Sequence, residues 1–120
     1  MDSNNWQIYF YKNSKGEQPV KDYINNLKAA EQAKVRNKLN LLKEFGPFNL
    51  DINHVKYLKD KIWELRIVGK DHHRIFWFIF NSKNIILLHA FHKKTQKIPQ
   101  IHIQKSFSRK KDFIKRYGGE

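Results

Sequence analysis

The chain has 120 residues, room for one domain and one core, and with 40% hydrophobic and 14% aromatic residues it is too apolar to be disordered. It has no cysteine, which excludes disulfides, thiol chemistry and cysteine-based zinc sites. Its net charge of +13 is uneven, with 8 Lys/Arg against 6 Asp/Glu in residues 1–53 and 16 against 5 in residues 54–120, and such a basic half points to a polyanion, nucleic acid before an anionic membrane surface or an acidic protein.

In chain order, "WQIYFYK" (6–12) is aromatic and weakly alternating, and reads as a strand. "NSKGEQP" is turn chemistry, and Pro19 suits the first position of a helix. Val20, Tyr23, Ile24 and Leu27 then follow a helical stripe, and Val35, Leu39, Leu42 and Phe45 a second. "KAAEQAK" between them is a break or a continuation, and Gly46-Pro47 ends the second helix. After a loop at 48–54, "VKYL" and "KIWELRIV" read as a strand or two with a kink at Lys59-Asp60. "GKDH" is a turn, "HRIFWFIF" a strand, "NSKN" a second turn and "IILLHAFH" another strand. Turns this short require antiparallel neighbours. Beyond Pro99, Ile103, Phe107, Ile114 and Tyr117 mark a third helix.

The order β-α-α-β-β-β-α predicts a single α+β domain over 1–120, with a small, mostly antiparallel sheet against a helical hairpin and a C-terminal helix. In "RIFWFIF" both alternating sets are apolar, Ile75, Trp77 and Ile79 on one face and Phe76, Phe78 and Phe80 on the other. Both faces of that strand must be covered, one by the helical hairpin and the other by the C-terminal helix or a partner chain. No apolar run approaches the length of a membrane span, and "MDSNNWQIYF" has no signal-peptide pattern. The expected compartment is the cytoplasm, with no membrane partner.

Two arginines flank the "GKDH" turn. In one register Arg66 lies directly opposite Arg74, with Glu64 and Phe76 on the same face, and in the next the arginines point to opposite faces. Side by side they repel, so the arrangement favours an anion between them, and a guanidinium fork suits phosphate. The competing reading pairs Glu64 with one arginine and leaves the other at the sheet edge. "HAFHKKTQKIP" (89–99) brings His89, His92, Lys93, Lys94 and Lys97 to a strand end, a candidate phosphate cradle or a solvated loop. Strict alternation puts His89 with Leu87 and Phe91, and His92 with Leu88 and Ala90. His89 reads as a packed strand histidine and His92 as the better catalytic candidate.

The histidine spacing matches no metal motif, and neither a nucleophile elbow nor a glycine-rich nucleotide loop is present. No cofactor is expected. RNA carries its own nucleophile, the 2′-OH, and its cleavage needs a base, an acid and positive charge, which histidine, lysine and arginine can supply. That permits a ribonuclease without establishing one.

The succession "K-x-L-x-x-x-I-W-E-L-R" (56–66), Arg74 opening the next strand, and "F-x-K-K-T-Q-K-x-P" (91–99) before a basic helix resembles the HigB-like, phage-derived branch of the RelE/ParE toxin superfamily, from about Ile8 to Tyr117. The resemblance implies a RelE-like fold and the toxin of a type II toxin–antitoxin system. Such toxins are metal-independent endoribonucleases that cut mRNA in the ribosomal A site and leave a 2′,3′-cyclic phosphate. It also implies a helix-turn-helix, HigA-like antitoxin, and operator DNA bound only through the toxin–antitoxin complex. Carried onto this chain, Arg66 and Arg74 would hold the scissile phosphate and His92 or Lys94 would be acid or base. Lys56, Lys93, Lys97 and His54 would contact RNA. The chain departs from the family pattern at His102, where a glutamate is usual, a change expected not to touch the site. The same superfold also serves toxins that inhibit DNA gyrase, and a non-catalytic basic binding module is the third reading.

Overall fold

The computed structural model describes residues 6–51, 53–69 and 72–118. A short strand β1 (Gln7–Phe10) leads into the helices α1 (Pro19–Asn25) and α2 (Ala29–Phe45). After a 3₁₀ turn at Pro47–Asn49 come β2 (Val55–Lys59), β3 (Ile62–Ile67), β4 (His73–Phe80), β5 (Asn84–His92) and the helix α3 (Gln100–Tyr117). Pro19 opens α1 at a position where no helical N–H is needed. The segment at 26–28 is a break, because Lys28 is extended and caps a new helix. Gly46 ends α2 with φ +79°, and a Cβ there would meet Trp6 Nε1 at 2.5 Å, so the position requires glycine twice over.

The predicted architecture is present, and the kink at Lys59-Asp60 is a full reversal, so the 55–67 region is two strands. Asp60 and Lys61 both have positive φ, 50° and 62°, the signature of a two-residue type I′ hairpin. Asn81 and Ser82, at 51° and 71°, turn β4 into β5. Lys70 and Asp71 of the "GKDH" turn lie outside the described residues.

The sheet order is β1-β5-β4-β3-β2, antiparallel throughout except for β1, which runs parallel to β5. Both faces are covered, as the doubly apolar β4 requires. Leu65, Ile67, Ile75, Trp77, Ile85 and Leu87 pack with Val20, Ile24, Val35 and Leu42 of the helical hairpin. Ile62, Phe76, Phe78, Ile86, Leu88 and Phe91 pack under Ile103, Phe107, Phe113 and Ile114 of α3. Chain-internal helices therefore cover both faces. Phe113 takes the place that spacing assigned to Tyr117, which is exposed at the helix end. Phe45, counted in the stripe of α2, is also exposed.

One irregularity moves side chains between faces. A bulge interrupts the β4–β5 ladder, with Phe76 opposite His89 but Trp77 opposite Leu87. Leu88 and His89 therefore both serve the α3 face, and strict alternation fails there. His89 does not share a face with Leu87, nor His92 with Leu88. Leu87 packs on the hairpin side and Leu88 under α3.

Candidate functional site

Antiparallel pairing gathers the starts of β2 and β4 and the ends of β3 and β5 at one end of the sheet. Lys56, Arg66, Arg74 and His92 belong to those segments, and Lys93 and Lys94 follow directly. The ladder continues one step further, since the Lys93 N–H donates to the His72 carbonyl at 2.7 Å. The set is divided between the two faces.

On the α3 face, Arg66 lies directly opposite Arg74, and Glu64 opposite Phe76 in β4 and Lys56 in β2. The anion between the arginines is supplied internally. Glu64 Oε1 lies 3.4 Å from Arg66 Nε, and Oε2 lies 3.1 Å from Arg74 Nε. The second contact is an ion pair not aligned for a hydrogen bond. Neither sequence reading foresaw one carboxylate serving both arginines. A pair at 4 Å contributes about 4 kcal/mol at an effective dielectric near 20. Two such attractions outweigh the repulsion between guanidiniums held apart by the carboxylate. Arg74 is buried, and its Nη1 donates to the His73 carbonyl at 3.1 Å. Burial pushes its pKa down, Glu64 opposes that shift, and Arg66 adds to it. The Arg66 side chain keeps 23% exposure, so it is the guanidinium a ligand can reach. Lys56 beside it is exposed.

His92 is on the other face, opposite His73, with ring centroids 5.6 Å apart. β1 pairs with β5 only as far as Leu87, with one further bond from the Tyr11 N–H to the Leu87 carbonyl. Beyond that point, at the rim of β5, a cleft of about 470 Å³ is lined by Tyr23, Phe91, His92, Lys94, Thr95 and His102, among others. Of these lining residues, Tyr23 belongs to a polar network. The buried His73 joins Tyr23 Oη at 2.7 Å through Nδ1 and Glu31 Oε1 at 3.0 Å through Nε2, and Lys34 Nζ closes on Glu31 at 3.3 Å. These bonds hold the Glu31 carboxyl below the usual range, His73 contributing most. They also tie α1 and α2 to the start of β4.

His102 is the residue that sequence reasoning set aside. It lies in the cleft with His92 and Lys94, where it was expected not to touch the site. Its ring stacks on Phe91 with centroids 3.9 Å apart and planes 8° apart, and its Nδ1 lies 2.8 Å from His89 Nε2. His89 Nδ1 in turn lies 3.0 Å from Arg109 Nη1. The contact requires α3 to cross β5 at the bulge, which no spacing rule anticipates. His89 carried one readable signal, a polar residue within an otherwise apolar strand, whereas His102 and Arg109 stand among polar residues of the helix and carried none.

The remaining candidates are less central. Lys97 is exposed, and its carbonyl accepts from Thr95 Oγ1 at 2.6 Å. His54 turns toward α2, where Lys38 Nζ lies 2.6 Å from its Nδ1, and Asp51 lies 3.9 Å from its Nε2. Only its carbonyl joins the Arg66 strand, accepting from the Arg66 N–H at 2.8 Å.

An α+β domain with a five-stranded mixed sheet, a helical hairpin on one face and a basic C-terminal helix on the other has a RelE-like architecture. Residues 22–111, three quarters of the chain, match the family described as Phage derived protein Gp49-like (DUF891). The chain belongs to this phage-derived Gp49-like family, a RelE- and toxin-like group. No curated protein matches the sequence. Among the described residues, no helix is long and apolar enough to cross a membrane.

Proposed function

We propose that this protein is the toxin of a toxin–antitoxin pair and that it cuts mRNA on the ribosome, in the A site, without a metal. The observation that carries the reading is the gathering of Arg66, Lys56, His92, Lys93 and Lys94 at one end of the sheet, with Arg66 and Lys56 on the α3 face and His92 on the hairpin face, so that a phosphate would have to lie across the strand ends to meet both. In the reaction the RNA 2′-oxygen attacks the adjacent phosphorus and the P–O5′ bond breaks. A base takes the 2′-OH proton, and an acid returns one to the leaving 5′-oxygen. The products are a 2′,3′-cyclic phosphate and a 5′-hydroxyl. Arg66 stabilises the charge that builds on the phosphate, since it keeps donors toward solvent. Arg74, buried and engaged, holds Glu64 and the strand end in place. His92 and Lys94 are the candidates for base and acid, and Lys56, Lys93 and Lys97 add phosphate contacts. A helix-turn-helix antitoxin is the expected partner, with operator DNA bound through that complex.

Inducing the protein in growing bacteria and mapping mRNA 5′ ends tests the reading. The wild type is expected to produce new cuts within translated frames, and Arg66→Ala to lower the cutting rate by about 10²-fold. Growth arrest with intact mRNA and linear gyrase–DNA complexes would overturn it in favour of a gyrase toxin. Unimpaired growth would favour a binding module.

A further inference from the structure

Arg109 dictates where the proton sits on a histidine two contacts away. A guanidinium only donates hydrogen bonds. Arg109 Nη1 lies 2.9 Å from the Leu88 carbonyl and 3.0 Å from His89 Nδ1. His89 Nδ1 must therefore accept, and the proton of that ring lies on Nε2. The Nε2–H donates to His102 Nδ1 at 2.8 Å, which leaves the proton of His102 on its own Nε2. Charging either ring would set one donor against another. Burial pushes the pKa of both rings down, and the groups that reinforce this are Arg109, His102 and Lys105 at His89 and Lys105 at His102.

The relay satisfies the buried His89, and a purely structural role would end there. It continues to a half-buried ring stacked flat on Phe91, in a cleft shared with His92 and Lys94. About 470 Å³ lies within the range of small-ligand sites.

We propose that this cleft is a nucleotide subsite for single-stranded RNA, in which His102 Nε2–H donates to an acceptor on the base edge and Lys94 contacts the adjoining phosphate. The choice of RNA as the polyanion rests on the ribonuclease reading above. His102 is a binding residue with a fixed donor and carries no proton in the reaction. His89 and Arg109 are positioning residues.

The test uses the intact protein and an RNA trinucleotide made uncleavable by 2′-deoxy substitution. In imidazole ¹⁵N–¹H spectra both rings are expected as neutral Nε2–H tautomers at neutral pH, their titration displaced below the ordinary histidine range. The trinucleotide should shift the His102 Nε2–H signal. His102→Ala should weaken binding roughly three- to tenfold, the loss of one hydrogen bond, and His102→Gln, which keeps a donor, should stay within about twofold. Arg109→Met should release the lock, so that His102 titrates and binding becomes pH-dependent. A His102 that titrates in the ordinary histidine range in the wild type would overturn the proposal, as would an unmoved signal or equal binding by His102→Ala. Trinucleotide binding at His102 alongside intact mRNA in cells would support the subsite while refuting the ribonuclease.

Discussion

Glu64 is 2% exposed and touches two guanidiniums, on Arg66 and Arg74. Breaking a buried ion pair by removing one partner typically costs about 3–5 kcal/mol, because the remaining charge is buried without compensation. Glu64→Gln leaves two cations facing each other, partly relieved by solvent at Arg66. We expect a loss of about 3 kcal/mol in urea denaturation, together with tighter RNA binding, since Arg66 loses its internal competitor. Unchanged stability would show that Glu64 does not hold the pair. His89 gives a separate expectation. Burial and neighbouring cations lower its pKa from 6.5 to about 3, so between those values the unfolded chain binds the extra proton. Stability is then full above about pH 6.5 and declines as pH falls toward 3. His89→Gln should flatten that part of a stability–pH profile, and an unaltered slope would assign the acid sensitivity elsewhere.

At the scale of elements, the hairpin turns carry the register and the bulge carries the site. Asp60 and Lys61 adopt left-handed conformations without a glycine, a conformation that costs an L-residue roughly 1–2 kcal/mol. Lys61→Gly relieves the strain and gives back part of the gain through a more flexible unfolded chain. A net increase of about 0.5–1 kcal/mol is expected by thermal or urea unfolding. The Lys61 N–H bond to Tyr57 Oη, 3.0 Å, is a backbone contact that the substitution keeps. A decrease would mean that the lysine side chain matters more than its backbone. The bulge in β5 has the larger functional consequence, because it turns His89 under α3 and so connects the strand to His102.

For the molecule as a whole, the excess of positive charge lies in the half of the chain that forms β2 to β5 and α3. If phosphate contacts dominate, the logarithm of RNA affinity should fall linearly with the logarithm of salt, by about 0.7 per single-strand phosphate neutralised. Replacing Lys93 and Lys94 together by Gln should reduce that slope by about 1.4, measured by titrating RNA at several salt concentrations. A flat response would identify the basic surface as a solubility device.

The sequence by itself determined the order of elements, the two-faced burial of β4, the basic half and the residues that accumulate at the strand ends. Each follows from local chemistry: period-2 and helical spacing, proline and glycine at the helix ends, and short turns that force antiparallel neighbours. Tertiary structure decided which side chains meet. The pairing of Arg66 with Arg74 depended on one of two registers, and the shared carboxylate of Glu64 on that register being the observed one. The parallel docking of β1 on β5 set where the open rim begins. The bulge, followed by α3 crossing over it, brought His102 and Arg109 to His89. Such contacts join residues distant in the chain or slipped by one position, and periodicity carries no information about either.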